Sequence, residues 1–202
     1  MSEEKTSVRR TGHRRSAVFL DRDGVLNANN GPVARPDQLE VFASAGPAVA
    51  LINRSRRLAV LVTNQPVVAR GECTAEGLGA IHAKLEAILG LAGGHLDAVY
   101  YCPHCPDGGF PGEIADLVGE CDCRKPKPGL LLHAAADLDI DLERSWMIGD
   151  SARDLMAARA CGVTFVLVRG GDSSEAAALE RQSDFAFDDV LDAAKFITGP
   201  GP

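Results

Sequence analysis

Short apolar runs alternate along this chain with longer stretches in which apolar residues recur every three or four positions. The strand-like runs fall at 17–21, 58–63, 98–102, 145–149 and 164–168, with a short sixth near 185–187. They are apolar at nearly every position rather than at every second one, as befits strands buried on both faces. Residues 47–56, 74–91, 129–138, 152–161 and 189–197 have helical spacing. Strand and helix in alternation predict an α/β fold, a mostly parallel Rossmann-like sheet flanked by helices. Residues 102–128 break the pattern. Rich in Pro, Gly and Cys and without periodicity, they read as an insertion that something other than an apolar core must order.

Length and charge narrow the picture. A chain of 202 residues, 46% apolar and 24% charged, suits one globular domain. That domain is predicted over 16–198, between a flexible tail at 1–15 and a loose end at 199–202. A net charge of −7 argues against a nucleic-acid partner, while a local cationic pocket for a small anion remains open. No apolar run approaches the roughly 18 residues of a membrane span, and the polar start lacks the apolar core of an export signal. A cytoplasmic monomer with no membrane partner is expected. There, six cysteines read as thiols or metal ligands rather than as a disulfide framework.

Candidate chemistry gathers where the strands end. Asp21-Arg22-Asp23-Gly24 follows the first strand, and residues two apart on a strand share a face. Both carboxylates can therefore enter the crevice beyond the sheet's carboxyl edge, where open α/β sheets bind ligands. Two acids so close favour a hard cation such as Mg²⁺, or one carboxyl that keeps its proton. A solvated turn is the alternative. Thr63-Asn64-Gln65 ends the second strand with donors for phosphate oxygens, although a Thr there is unremarkable alone. Lys125 offers fixed positive charge to a phosphoryl group, or is simply a surface lysine. Gly149-Asp150 ends the fourth strand with Asp154 one helical turn on; these carboxylates face a cation, or Asp150 caps the helix.

Taken together, in identity and order, these elements resemble the four motifs of the haloacid dehalogenase superfamily of phosphatases, from Asp21 through Asp154. The resemblance implies that fold, with no large cap domain. It implies Asp21 as nucleophile, Asp23 as general acid and base, and Thr63 and Lys125 as phosphate ligands. Mg²⁺ would be held by Asp21, Asp150 and the backbone carbonyl of Asp23, with Asp154 in support.

Cys102-Pro103-His104 and Cys121-Asp122-Cys123 form two ligand pairs. Three thiolates and an imidazole fill a tetrahedral Zn²⁺ site and leave no position for catalytic water, so a structural zinc loop over 102–123 is expected. Cys105 could replace His104, and loose thiols or a disulfide are the other readings. Cys73 and Cys161 read as small buried thiols, His82 and His133 as packing or surface residues, and Trp146 as core.

Within the superfamily the chain resembles the D-glycero-D-manno-heptose 1,7-bisphosphate 7-phosphatase family. Asn27 near the first motif, Ala69-Arg70-Gly71 after Gln65, and a cysteine loop running into Arg124-Lys125-Pro126 carry that likeness. It implies a sugar bisphosphate substrate, with Arg124 in contact with it and Asn64 and Gln65 lining its pocket. Pro66-Val67 stands where that family usually has Ser-Gly, and Pro32 where it usually has an aromatic. The alternatives are a histidinol-phosphate phosphatase, whose branch shares the chemistry and a similar zinc loop, a DNA-end phosphatase, which the charge disfavours, and a zinc-stabilised binding protein.

Overall fold

The computed structural model describes residues 14–169 and 173–199. Six parallel strands, β1 (Ala17–Leu20), β2 (Leu58–Asn64), β3 (Ala98–Cys102), β4 (Trp146–Gly149), β5 (Thr164–Val168) and β6 (Phe185–Phe187), lie in the order β3-β2-β1-β4-β5-β6. The helices are α1 (Ala45–Arg54), α2 (Ala75–Gly90), α3 (Gly129–Leu138), α4 (Ala152–Ala160), α5 (Ser173–Gln182) and α6 (Val190–Thr198).

Alternate strand residues feed two separate cores, as the period of two requires. Val18, Leu20, Ala59, Leu61, Ile148 and Val166 pack with buried residues of α1, α2 and α6. Ala17, Phe19, Val60, Val62, Met147 and Phe165 pack with α3 and α4 on the other face. The continuous apolar runs thus mark strands covered on both sides.

Differences from the sequence reading have local causes. Helix α1 begins two residues before Pro47, because a first-turn residue has no intrahelical partner for the amide that proline lacks. It stops at Arg54, and Arg56 turns left-handed with φ of 62°. Helix α5 was not expected: its sequence is alanine-rich, so no apolar stripe marks it. Arg15, read as tail, is tied down, its amide donating to Asp139 O and its carbonyl accepting from the Asp141 amide. The tail reading for 1–13 and the loose end at 200–202 lie outside the described residues. Trp146 is half-buried rather than core and packs against Phe185 and Phe196. Cys161 is likewise half-buried, whereas Cys73 is buried. His133 is exposed; His82 is buried, and burial together with the charge of Arg22 pulls its pKa down to about 4.

Residues 103–128 contain no strand and no α-helix, only a 3₁₀ turn at Ala115–Leu117. The segment is docked on the loop after β2, with the Ala69 amide donating to Pro103 O at 3.2 Å and the Ile114 amide to Ala69 O at 2.8 Å. No helix among the described residues is long and apolar enough to cross a membrane.

Candidate active site

β1 lies between β2 and β4, so the order of the strands reverses there and a crevice opens at the carboxyl edge. Asp21 follows β1 directly, and its amide donates to Ile148 O at 3.0 Å, which sets it beside the end of β4. Thr63, Asn64 and Gln65 end β2, and Asp150 follows β4. Together with Asp23, Arg70, Arg124, Lys125, Ser151, Arg153 and Asp154 they line a cavity of about 290 Å³. The strand ends thus bring together Asp21, Asp23, Thr63, Asn64, Gln65, Arg124, Lys125, Asp150 and Asp154 from four separate parts of the chain.

Lys125 is buried at the centre. Its Nζ lies 2.9 Å from Asp21 Oδ1 and 2.6 Å from Asp154 Oδ1, and it donates to Val62 O at 2.9 Å. All three ammonium protons have acceptors. Desolvation works against the charge, but the two carboxylates outweigh it and hold the Lys125 pKa above its ordinary value. Asn64 fixes the lysine backbone through a reciprocal pair: Asn64 Nδ2 donates to Lys125 O at 3.0 Å, and the Lys125 amide to Asn64 Oδ1 at 3.1 Å.

Asp23 is held differently. Arg22, fully buried, donates from Nε and Nη2 to its carboxylate at 3.0–3.2 Å. Asn27 Nδ2 donates to Oδ1 and Gln65 Nε2 to Oδ2, both at 2.9 Å, and Gln65 Nε2 also reaches Thr63 Oγ1 at 2.9 Å. The motif's arginine therefore clamps Asp23, a role that nothing in its sequence position announced. Asp150 does not cap α4. Ser151 does, its amide and hydroxyl donating to Asp154 Oδ2 at 3.2 and 2.6 Å.

Oxygens of Asp21, Asp150 and Asp154 lie within 4.8 Å of one another, close enough to share one cation. Burial pushes Asp21 up to about 6, with Asp154 and Asp23 adding to the rise and Lys125 opposing it. Burial, then the charges of Asp21 and Asp154, push Asp150 up to about 7. A hard divalent ion between Asp21, Asp150 and Asp154 would offset the mutual repulsion that helps raise their pKa values. Gly24 makes room: its φ is +84°, and a Cβ there would stand 1.9 Å from Asp150 Oδ2.

The raised pKa values give a prediction with a definite sign. The fold favours the protonated forms of Asp21 and Asp150, so the stability they contribute is present below the ordinary carboxylate range. It is lost as pH rises through about 6 and then about 7. Metal-free protein should therefore lose thermal stability over that interval, and saturating Mg²⁺ should remove the loss. Melting curves with and without the ion check this; identical profiles would contradict it.

The cysteine segment forms a second cluster. Cys102 Sγ lies 3.6 Å from Cys121 Sγ and 3.7 Å from His104 Nδ1, and Cys123 Sγ lies 3.4 Å from each of Cys121 Sγ and His104 Nδ1. A tetrahedron with bonds of about 2.3 Å to sulfur has edges of about 3.7 Å, so these spacings fit one metal ion. They are far too long for a disulfide, which needs about 2.05 Å. Burial and the neighbouring thiols push the Cys102 thiol well up, a penalty that a cation would lift. Cys105 is buried outside the cluster, its backbone paired with Leu117 and Gly119.

Among the lining residues that the sequence did not point to as such, two are cations. Arg70 sets its guanidinium 4.6 Å from the centre of the Phe110 ring and lines the crevice, as does Arg153 on the first turn of α4. Only a fold could place either in the crevice: Arg70 stands out in the sequence solely within Ala69-Arg70-Gly71, and Arg153 carries no local signature.

Fold and site together define a hydrolase of the haloacid dehalogenase type. Residues 122–193 match the HAD-hydrolase-like family model. A D-glycero-β-D-manno-heptose-1,7-bisphosphate 7-phosphatase of Haemophilus ducreyi is 38% identical over 185 residues, covering 91% of this chain and 98% of that protein. The protein of that name from Vibrio cholerae is 43% identical over 156 residues, 77% of this chain and 82% of that one. A crystal structure of D,D-heptose 1,7-bisphosphate phosphatase from B. bronchiseptica, complexed with magnesium and phosphate, superposes with a TM-score of 0.77 at 34% identity, covering 89% of this chain and 96% of that chain. The chain belongs to the D-glycero-D-manno-heptose 1,7-bisphosphate 7-phosphatase family.

Proposed function

We propose that this chain is a Mg²⁺-dependent phosphatase that removes the 7-phosphate of D-glycero-D-manno-heptose 1,7-bisphosphate through an aspartyl-phosphate on Asp21. The observation that carries the reading is the convergence of Asp21, Asp150 and Asp154 on one cation-sized space beside Lys125, in a chain similar along nearly its whole length to heptose bisphosphate phosphatases. Asp21 and Asp150, with the Asp23 carbonyl that the family resemblance adds, would hold Mg²⁺, and the ion would supply charge that offsets the phosphate's own.

The remaining steps belong to the chain. Asp21 Oδ1 is engaged by Lys125 and by the Arg22 amide at 2.7 Å, while Oδ2 accepts no hydrogen bond among the described residues. A carboxylate oxygen of Asp21 attacks phosphorus, and the bond from phosphorus to the sugar oxygen breaks. Asp23, protonated, gives its proton to that leaving oxygen; as carboxylate it then takes a proton from water, which attacks phosphorus and frees Asp21. For either transfer Asp23 has to exchange a present donor, such as Gln65 on Oδ2, for the reacting oxygen. Thr63 and Lys125 hold phosphate oxygens, Arg124 meets the sugar's remaining polar groups, and Asn64 and Gln65 act chiefly by positioning Lys125 and Asp23. Asp154 supports Lys125.

Phosphate release measured side by side on the heptose bisphosphate and on histidinol phosphate, with Mg²⁺ present, tests the assignment. Preference for the bisphosphate is expected. Faster turnover of histidinol phosphate would shift the reading to that branch, and no turnover of either would favour a binding protein.

Zinc is the ion proposed for Cys102, His104, Cys121 and Cys123, on the chemistry of three sulfurs and one imidazole. Its part is structural. Cys123 is two residues from Lys125, and Arg124 Nη1 donates to His104 O at 3.2 Å, so the metal loop carries the phosphate-binding cations. Elemental analysis should find about one zinc per chain. Cys123→Ser should lower zinc content, Tm and phosphate release together. Zinc-free protein with full activity and unchanged melting would refute the linkage. Cysteines held as thiolates at a metal rather than in disulfides suit a cytoplasmic setting, which is part of this reading.

A further inference from the structure

At the edge of the sheet opposite the catalytic crevice lies a second cavity, of about 420 Å³, lined by Arg15, Asn53, Arg56, Arg57, His95 and Asp97. Arg15 precedes β1, the arginine pair joins α1 to β2, and His95 and Asp97 precede β3. The cavity therefore opens at the amino ends of three adjacent strands. Asp21 lies beyond the far end of β1, roughly 20 Å away at about 3.3 Å per strand residue.

Charge here is one-sided, in a chain whose net charge is −7. Three guanidiniums and an imidazole accompany one carboxylate, and that carboxylate is already engaged. Asp97 Oδ2 accepts from the Ala59 amide at 2.8 Å, and Oδ1 stands 3.9 Å from His95 Nε2. Among the described residues, Arg15, Arg56 and Arg57 form no ion pair.

Two of the lining residues also carry donors that the described residues leave unpaired. Asn53 Nδ2 and Arg57 Nε are both buried without a hydrogen-bond partner. The Asn53 amide cannot simply be reversed, because its Oδ1 accepts from the His95 amide at 2.9 Å. Arg56, in turn, sits at φ of 62°, in the left-handed region where glycine is the usual residue after a helix. A long cationic side chain thus stands at a position whose backbone disfavours it.

We propose that this cavity is a second anion site that binds a small phosphate-type oxyanion. Guanidiniums from three positions, an amide and an imidazole, arriving from separate elements, suit an anion with several oxygens and more than one negative charge better than a single carboxylate. Two sources share this chemistry: inorganic phosphate and a sugar phosphate monoester.

The test is an NMR titration of the ¹⁵N-labelled full chain in EDTA at constant ionic strength, with inorganic phosphate in one arm and a hexose 1-phosphate in the other. Saturable shifts at the amides of Arg56, Arg57 and His95 are expected in at least one arm, and which arm saturates identifies the source. Arg57→Met should weaken binding at least about tenfold, the loss of a hydrogen bond to a charged partner. Arg56→Gly should weaken it too while raising Tm, because glycine is at ease in that backbone conformation. A purely structural arginine would not separate binding from stability in this way. Shifts confined to Gly24, Asn64 and Gly149, shifts equal to those in chloride, or Arg57→Met and Arg56→Gly variants that bind like the parent would overturn the proposal.

Discussion

Asp21→Asn should abolish Mg²⁺-dependent phosphate release, with kcat falling about ten-thousand-fold or more, while the protein stays folded. A carboxamide nitrogen is no nucleophile and its oxygen a weak one, so the covalent step is lost. The same change removes a charge that burial already penalises, since Asp21 is pushed up to about 6 by desolvation first. Melting temperature should therefore hold or rise, against the sharp fall in rate. The comparison of kcat with Tm is decisive because damage to the fold would lower both. A variant retaining a tenth of the parent rate would mean that another group accepts the phosphate.

Lys125→Met should do the opposite and cost stability as well as rate. The lysine is 2% exposed and pairs with Asp21 and with Asp154, itself fully buried. Removing one partner of a buried ion pair costs about 3–5 kcal/mol, because the other charge stays buried and unpaired. In a domain of this size that corresponds to a fall in Tm of about 6–20 °C. Mg²⁺ should restore part of it, since the cation returns positive charge to the same carboxylates. So should mildly acidic pH, at which the orphaned carboxylates take up protons. Rate should drop further than stability explains, because the phosphate loses a fixed countercharge. An unchanged melting curve would show that Lys125 does not hold this cluster together.

Much of this was legible in the sequence because buried parallel strands are written as unbroken apolar runs. The inner strand β5 falls where its run lies, as do the half-buried edge strands β3 and β6, and the candidate reactive residues could be read off wherever a run stops: Asp21 after Leu20, Thr63 and Asn64 at the end of β2, Asp150 after Gly149. The candidate ligand pairs Cys102/His104 and Cys121/Cys123 were legible for a related reason, since spacing alone keeps each pair adjacent. What stayed hidden depends on contacts between segments far apart in sequence. Nothing local tells that Arg22 turns inward to clamp Asp23, or that the Asn64 amide grips the Lys125 backbone across 61 residues of chain. The Arg70 guanidinium over Phe110 joins two loops in the same way. Helix α5 escaped because a helix of alanines and charges shows no face.

The positions that depart from the usual family residues lie at the mouth of the crevice, where Pro32 and Pro66 line the cavity with Arg70 and Arg153. The carboxylate cluster lies deeper and does not involve them. Exchanging Pro66, which lines the cavity without touching the carboxylate cluster, should therefore alter KM before kcat.

The identity of the nucleophile is most directly read by trapping. Enzyme quenched during turnover of the heptose bisphosphate and reduced with borohydride should carry its reduced side chain at residue 21 alone, because only an acyl phosphate is converted to the alcohol. Reduction at a different carboxylate, or none under conditions where phosphate is being released, would contradict the account.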